Sequence, residues 1–244
     1  MVRQSVFPSG EIGNYGQEPA GLERKTSAQQ VAEHIRRMIF TNQLHAGDRV
    51  PQDEIAAHLK VSRVPVREAV IALDREGWVT NEAHRGAFVN GLDADTVRDH
   101  YELIGLVYGF AARRATERGN VGEVNRLVEL NKALQATDDP DEIWQINWLF
   151  LQQVIRMAQS RRIVGMVRIL SISIVAGNYF AEVPGAIKTH KKGIRAILRA
   201  IKAADGAAAE AEYAAMLRIE AESVAVLLES NGIFSQDLRS SPSA

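Results

Sequence analysis

The sequence predicts a mainly α-helical protein in which one short β-hairpin separates an N-terminal group of helices from an all-helical C-terminal region. Three observations support this fold class. Residues 52–77, QDEIAAHLKVSRVPVREAVIALDREG, have the pattern of two helices joined by a tight turn. Two short β-type runs follow at 78–80 and 87–89, and no strand pattern occurs after residue 93.

The composition is that of a soluble globular chain with ample apolar content for a packed core. The 244 residues include no cysteine, which excludes disulfides and thiolate metal sites, and the formal net charge is −1. No apolar run is as long as a membrane span and no signal segment opens the chain, so we expect a cytoplasmic protein. The chain also lacks a Ser/His/Asp order, a Gly-rich phosphate loop and an acid pair. We therefore expect neither an enzyme nor a bound cofactor.

The two helices within residues 52–77 form a helix-turn-helix. The first covers 52–59, and the second begins after Ser62, whose hydroxyl we expect to cap the helix, and continues to 76. Val66, Val70 and Leu73 recur at helical spacing and predict the buried side of the second helix.

The first turn of this second helix is free to project its side chains outward. These side chains belong to Ser62, Arg63, Val64 and Arg67. Arginine can fork onto guanine edges or bond phosphates, and serine can bond either group. The stretch therefore has the chemistry of a recognition helix that enters the major groove of DNA.

We interpret residues 78–89 as a β-hairpin wing. Its tip carries His84, Arg85 and Gly86, and the glycine allows a tight backbone. His84 and Arg85 either form a solvated loop or contact the minor groove or phosphates, and the preceding helix-turn-helix favours contact.

Four segments follow from the pattern along the chain. They are a flexible arm at 1–25, a winged domain at 26–91 with its first helix at 27–40, a helical domain at 92–232, and a loose tail at 233–244. The arm could instead touch DNA or a partner through Arg3, Arg24 and Lys25. In the helical domain, apolar spacing predicts helices at 93–118, 121–136, 140–159, 161–181, 186–203 and 206–230.

The run GDRVPQDEIAAHLKVSRVPVREAVIALDREGWV resembles the winged helix-turn-helix of the GntR superfamily of bacterial transcription regulators. The similarity covers residues 27–91, with helix, turn, helix and wing in order. It implies binding to double-stranded operator DNA. We expect a repressor that acts as a homodimer on an inverted repeat.

The later segments YELIGLVYGFAARRATERG and THKKGIRAILRAIKAADGAAAEAEYAAML resemble the FadR-type C-terminal domain, called FCD, of the same superfamily. In many members an aspartate and three histidines hold a divalent metal that anchors a carboxylate effector. The matching positions here are, in order, Asn147, Leu151, His190 and Ile219. Three of the four ligands are therefore absent, and the resemblance predicts a pocket without a metal.

The resemblance also places Ile104 and Tyr108 where an arginine and a glutamate often stand on the opening helix. With the four positions above they outline a pocket for a largely apolar effector whose polar end lies near His190 or Asn147. His190 lies in a row of isoleucines and is either a satisfied core residue or a hydrogen-bond donor of this pocket. The alternative is a ligand-independent regulator in which the C-terminal domain serves only for dimerisation.

Overall fold

The computed structural model describes residues 26–170 and 178–234. The predicted arm at 1–25, most of the predicted tail, and part of the predicted helix 161–181 lie outside these residues. Residues 26–96 and 228–234 belong to one compact unit, which we call the winged unit, and the described residues between 97 and 227 belong to a second, the bundle unit.

The winged unit begins with helix α1 (Ser27–Phe40), which the sequence predicted with the same bounds. Thr26 and Gln29 form a reciprocal capping box that satisfies two amides at its start. The buried face of α1 packs against α3 (Arg63–Arg75). Arg36 of α1 and Glu76, just beyond α3, form a half-buried bidentate ion pair with nitrogen–oxygen distances of 2.8–3.1 Å. This pair links α1 to the end of α3 in addition to their apolar packing.

Helix α2 (Gln52–Leu59) leads into α3 through a tight turn. Lys60 ends α2 in the left-handed conformation with φ +54°, and the Val61 amide donates to the Ala56 carbonyl at 3.0 Å. Ser62 stands at the N-cap position as predicted, but its side chain makes no capping hydrogen bond. The expectation that its hydroxyl caps α3 was therefore wrong.

Strands β1 (Val79–Glu82) and β2 (Gly86–Val89) form the predicted antiparallel wing, with Val79 opposite Val89. Both strands reach further toward the tip than predicted, which shortens the loop. The segment before α2 adds a bridge between Arg49 and Phe88, and the Val50 amide donates to the Ala87 carbonyl at 2.8 Å. The wing is therefore tied to the start of the helix-turn-helix.

All the regular secondary structure among the described residues of the bundle unit is helical. Its elements are α4 (Ala94–Arg118), α5 (Val121–Ala136), α6 (Pro140–Ala158), α7 (Arg161–Leu170), α8 (Tyr179–Glu182), α9 (Ala186–Lys202) and α10 (Gly206–Ser230). The predicted continuous helix at 161–181 is wrong at its end, because Asn178 is extended and caps α8 by accepting from the Phe180 amide. None of the described helices is long and apolar enough to cross a membrane.

Helices α4 and α10 approach each other closely through glycine. A Cβ on Gly109 would lie 2.8 Å from the backbone oxygen of Glu210, and one on Gly105 would lie 3.3 Å from the Cα of Ala214. The buried stripe of α4 that the sequence predicted, which includes Val97, Ile104 and Tyr108, lies inside the unit. The opposite side of α4 therefore remains available for other contacts.

Candidate functional site

The first turn of α3 presents the predicted recognition side chains to solvent. Ser62, Arg63 and Arg67 are exposed, and Val64 is 63% exposed. The buried side of the same helix holds Val66, Ala69, Val70 and Leu73, each at most 2% exposed. The helix is therefore anchored by one side while its polar, basic start faces outward.

The two arginines of this turn have different electrostatic surroundings. The Arg63 Nε lies 2.8 Å from Oδ1 of Asp53 on α2. Arg67 has no ion pair with any described residue. Since Ser62 makes no capping bond, the amides at the start of α3 also stay open toward an anion, where the helix dipole favours negative charge. The turn therefore combines one cation beside a carboxylate, one cation without an ion pair among the described residues, and open backbone donors.

The tip of the wing is held in an unusual backbone conformation. His84 has φ +64° and Gly86 has φ +106°, so both lie on the left-handed side. Arg85 is paired with Glu82, and its guanidinium lies 5.6 Å from the centroid of the Phe88 ring. All three predicted tip residues lie together, with His84 and Arg85 exposed.

Two residues of this surface were missed by the sequence reasoning. A Cβ on Gly86 would lie 2.8 Å from Nε of Arg49, so the Arg49 guanidinium packs on the wing backbone. Asp53 holds Arg63, as described above. Each contact joins two different secondary-structure segments, and helical or strand periodicity carries no signal for it.

A buried polar cluster lies inside the bundle unit. His190 of α9 is 3% exposed and Glu220 of α10 is 5% exposed. The His190 Nδ1 lies 2.8 Å from Glu220 Oε1, and its Nε2 lies 2.9 Å from Asn147 Oδ1 on α6. If the ring is protonated, both nitrogens donate, one to Glu220 and one to the Asn147 oxygen. If it is neutral, Nδ1 donates to Glu220 and Nε2 accepts from the Asn147 NH2 group, with the oxygen and nitrogen of that side-chain amide exchanged. His190 is thus fully hydrogen-bonded.

Aromatic side chains surround this cluster. The Phe180 ring centroid lies 4.9 Å from that of His190, in an edge arrangement. Burial raises the pKa of the Tyr101 and Tyr179 phenols well above its usual range, and the Glu220 carboxylate raises each further. Burial and then Tyr108 and Glu220 raise the pKa of Tyr213 in the same way. In the described part of this unit, buried phenols therefore lie around the Glu220 carboxylate.

The predicted pocket residues do not all face this cluster. Ile104, Tyr108 and Leu151 are buried, and Asn147 is half-buried and bonded to His190. Ile219 is 54% exposed, so its predicted place in the pocket has to be corrected. The inward residue is its neighbour Glu220, which keeps step with the buried Tyr213, Leu217 and Val224 at spacings of three or four.

The cluster does not fit the divalent metal that FCD domains often hold. Both nitrogens of His190 already have partners, and Asn147 supplies a neutral amide in place of a carboxylate. The described part of the chain contains no group of three His, Asp or Glu side chains placed to hold a metal. We therefore assign no role to a metal here.

A winged helix-turn-helix with an exposed, arginine-bearing start of α3, followed by a helical bundle, defines a DNA-binding transcription regulator. The model of bacterial regulatory proteins of the gntR family matches residues 27–89, and the FCD domain model matches residues 99–218. The chain belongs to the GntR family and carries an FCD domain.

Relatives of known class agree with this assignment. An uncharacterised HTH-type transcriptional regulator of Mycobacterium tuberculosis is 35% identical over 125 residues, which are 51% of each chain. The gluconate operon transcriptional repressor of Bacillus subtilis is 28% identical over 138 residues, 55% of this chain and 56% of that one. The chain thus spans about half the length of these curated relatives. The structure of E. coli McbR/YncC matches with a TM-score of 0.57 and 20% identity, covering 84% of this chain and 99% of that one, which supports the fold.

Proposed function

We propose that this regulator is a cytoplasmic repressor that binds an inverted repeat as a homodimer. The exposed start of α3 carries the proposal, because it offers guanidinium groups and open amides on a helix of the right size for the major groove. Ser62, Arg63, Val64 and Arg67 meet the major groove. His84, Arg85 and Gly86 meet the adjacent minor groove or its phosphates.

A bound dimer that covers a promoter would repress transcription. The name of the related gluconate operon repressor supports repression rather than activation. Transcription in vitro from a promoter that contains the selected site should fall as the protein is added. A promoter with the site scrambled is the control and should be unaffected. More transcript from the intact promoter would contradict repression.

The exposed side of α4 is the surface that we propose for dimerisation. Leu103 is 52% exposed and Leu106 is 63% exposed, although both lie mid-helix. Along this side, from the N-terminal to the C-terminal half of the helix, stand Asp99, Glu102, Leu106, Phe110, Arg113 and Arg114. Arg113 already pairs with Glu210, and Arg114 with Glu117, within the same chain, so the exposed leucines carry the proposal. An antiparallel pairing of two copies around Leu106 would bury Leu103 and Leu106 of one copy against those of the other. A two-fold interface requires this kind of self-complementarity.

Leu106→Glu should therefore turn the dimer into a monomer, because two carboxylates would meet at the two-fold axis. Sedimentation at micromolar concentration measures this directly. Val121→Glu, at a position that is 78% exposed on α5, is the matched control and should leave the dimer intact. A Leu106→Glu protein that remains dimeric, or a wild-type monomer, would contradict the proposed surface.

We further propose that the bundle senses a largely apolar effector without a metal. The buried Ile104, Tyr108 and Leu151 would contact the hydrocarbon body, and the half-buried Asn147 beside His190 would meet its polar end. Such a ligand regulates only if it prefers one arrangement of the two DNA-binding units over the other. The second candidate is that the bundle is only a dimerisation module, and the observation that supports this alternative is that both ring nitrogens of His190 already have partners within the chain.

Elemental analysis of protein purified without chelators should show no stoichiometric zinc, nickel or manganese. One imidazole that is already engaged and one amide cannot compete with water and buffer for a transition metal. Stoichiometric metal that disappears in His190→Ala would contradict this expectation. Protein carrying Ile219→Ala, at an exposed position, serves as the control for purification effects.

A further inference from the structure

An acidic side chain stands at the centre of the surface that is proposed to meet DNA. Asp53 in the first turn of α2 is 72% exposed, and its Oδ1 lies 2.8 Å from the Nε of Arg63, which is 78% exposed. An ion pair that is this exposed contributes little to the stability of the fold. A carboxylate here also repels the phosphates of any DNA that approaches. Its presence therefore calls for an explanation other than folding.

The geometry of the pair constrains how Arg63 can contact a base. The Asp53 carboxylate lies beside Nε of Arg63, so its charge favours orientations of the planar guanidinium in which Nε stays near Asp53 and the two terminal nitrogens lie on the other side. These terminal groups remain available for the two acceptors on the major-groove edge of guanine. Ordering a long side chain before binding removes part of the entropic cost of binding.

Asp53 is held in place by the same turn that positions Arg63. The left-handed Lys60 and the hydrogen bond from the Val61 amide to the Ala56 carbonyl fix the path between α2 and α3. Ile55 and Ala56, which follow Asp53 closely, are buried. The carboxylate is therefore carried on a rigid element, and its distance from the start of α3 is set by the fold.

Arg67, one helical turn after Arg63 on α3, provides the contrast. It is exposed and forms no ion pair among the described residues, so its full charge is available to phosphates. Arg63 is locally neutralised and oriented, which suits recognition of a base more than general attraction to the DNA backbone. The Asp53 carboxylate beside Arg63 therefore gives the two arginines different roles, base recognition for Arg63 and phosphate binding for Arg67.

We infer that Asp53 is a positioning residue that sets the base preference of Arg63 and weakens binding to other sequences. The inference rests on the proposed role of Arg63 in reading DNA. Asp53 improves discrimination in two ways, by presenting the guanidinium to a guanine and by repelling phosphates where no guanine contact compensates. Removing the carboxylate should therefore weaken binding to the preferred site and strengthen binding to unrelated DNA.

The test uses duplexes that the full-length wild-type protein selects from a randomised double-stranded DNA library. Arg63→Ala first identifies the base pair whose preference depends on Arg63. Dissociation constants are then measured at fixed salt for the selected duplex, for the duplex changed at that base pair, and for a random duplex. Asp53→Asn should reduce the ratio between the first two by roughly 3- to 10-fold.

Glu54→Gln is the matched control, because it removes the same charge from the next residue, which is also exposed. It should shift all three dissociation constants together and leave the ratio unchanged. In the Arg63→Ala background, Asp53→Asn should no longer affect the ratio, as expected for residues that act as one unit.

Two results would overturn the inference while leaving the DNA-reading role intact. Asp53→Asn could behave like Glu54→Gln, or it could change the ratio equally in the presence and absence of Arg63. Failure of the wild-type protein to select any duplex, or retention of every base preference in Arg63→Ala, would instead overturn the reading role of Arg63 and the inference with it.

Discussion

His190→Ala should lower the free energy of unfolding of the bundle unit by about 1–3 kcal/mol, the range typical of leaving a buried polar group without its hydrogen-bond partner. The substitution leaves the Glu220 carboxylate, which is 5% exposed, without its hydrogen-bond partner. Urea unfolding followed by tryptophan fluorescence measures the change, since Trp144 and Trp148 lie in this unit.

The matched control replaces both partners at once. His190→Leu combined with Glu220→Leu removes the buried carboxylate together with the imidazole, so it should recover most of the lost stability. This comparison separates the cost of leaving the Glu220 carboxyl group without its partner from the cost of a cavity. If His190→Ala lost less than about 1 kcal/mol, the value of an ordinary hydrogen bond, the cluster would not be the buried pair described above.

Arg63→Ala should weaken operator binding by ~1–3 kcal/mol, which is about 5- to 150-fold, and should relax the preference at one base pair of each half-site. Arg67→Ala should weaken binding to all sequences alike and reduce the slope of log affinity against log salt by about 1. The difference follows from their surroundings, since only Arg63 is oriented by a carboxylate. Fluorescence anisotropy at several salt concentrations measures both effects.

Arg75→Ala is the control for this pair, because Arg75 is exposed on α3 but stands in its last turn. It should change affinity and salt slope far less than either substitution in the first turn. If the Arg63→Ala/Arg67→Ala protein kept wild-type affinity at fixed salt, the assignment of α3 as the recognition helix would be wrong.

Most helices could be predicted because their ends carry local signals. The capping boxes at Thr26 and Asn120 and the aspartate cap at Asp139 define starts of helices from sequence alone. Serine is also a common N-cap residue, and Ser62 occupies the N-cap position of α3, but its side chain makes no capping hydrogen bond. The residue type therefore predicted the position of the helix start and not the bond. The apolar spacing that predicted one helix over 161–181 failed at Asn178. This residue has an extended backbone and caps a separate short helix, α8.

The wing was predicted too short for a reason that is tertiary. Asn81 and Glu82 have low strand propensity, so the sequence favours a loop at these positions. In the structure the Asn81 amide donates to the Asp74 carboxylate of α3 at 2.9 Å, and Glu82 pairs with Gly86 across the hairpin. Contacts with another element therefore extend β1 beyond what propensity alone supports.

The bundle site was only partly predictable because α10 is rich in alanine. With alanine on several sides, the buried side of the helix is poorly marked, and the family resemblance selected Ile219. The larger buried residues Tyr213, Leu217 and Val224 mark the correct side, and Glu220 lies in step with them. A charged residue within such a stripe is a signal that could have identified the partner of His190.

Selection of duplexes from a randomised DNA library by the full-length protein tests the central claim most directly. The account predicts enrichment of a short inverted repeat whose half-site centres are about one helical turn, ~10 base pairs, apart or a multiple of it. It also predicts that the protein carrying both Arg63→Ala and Arg67→Ala enriches no such repeat. No enrichment by the wild-type protein, or the same repeat enriched by the variant, would contradict recognition of DNA through the first turn of α3.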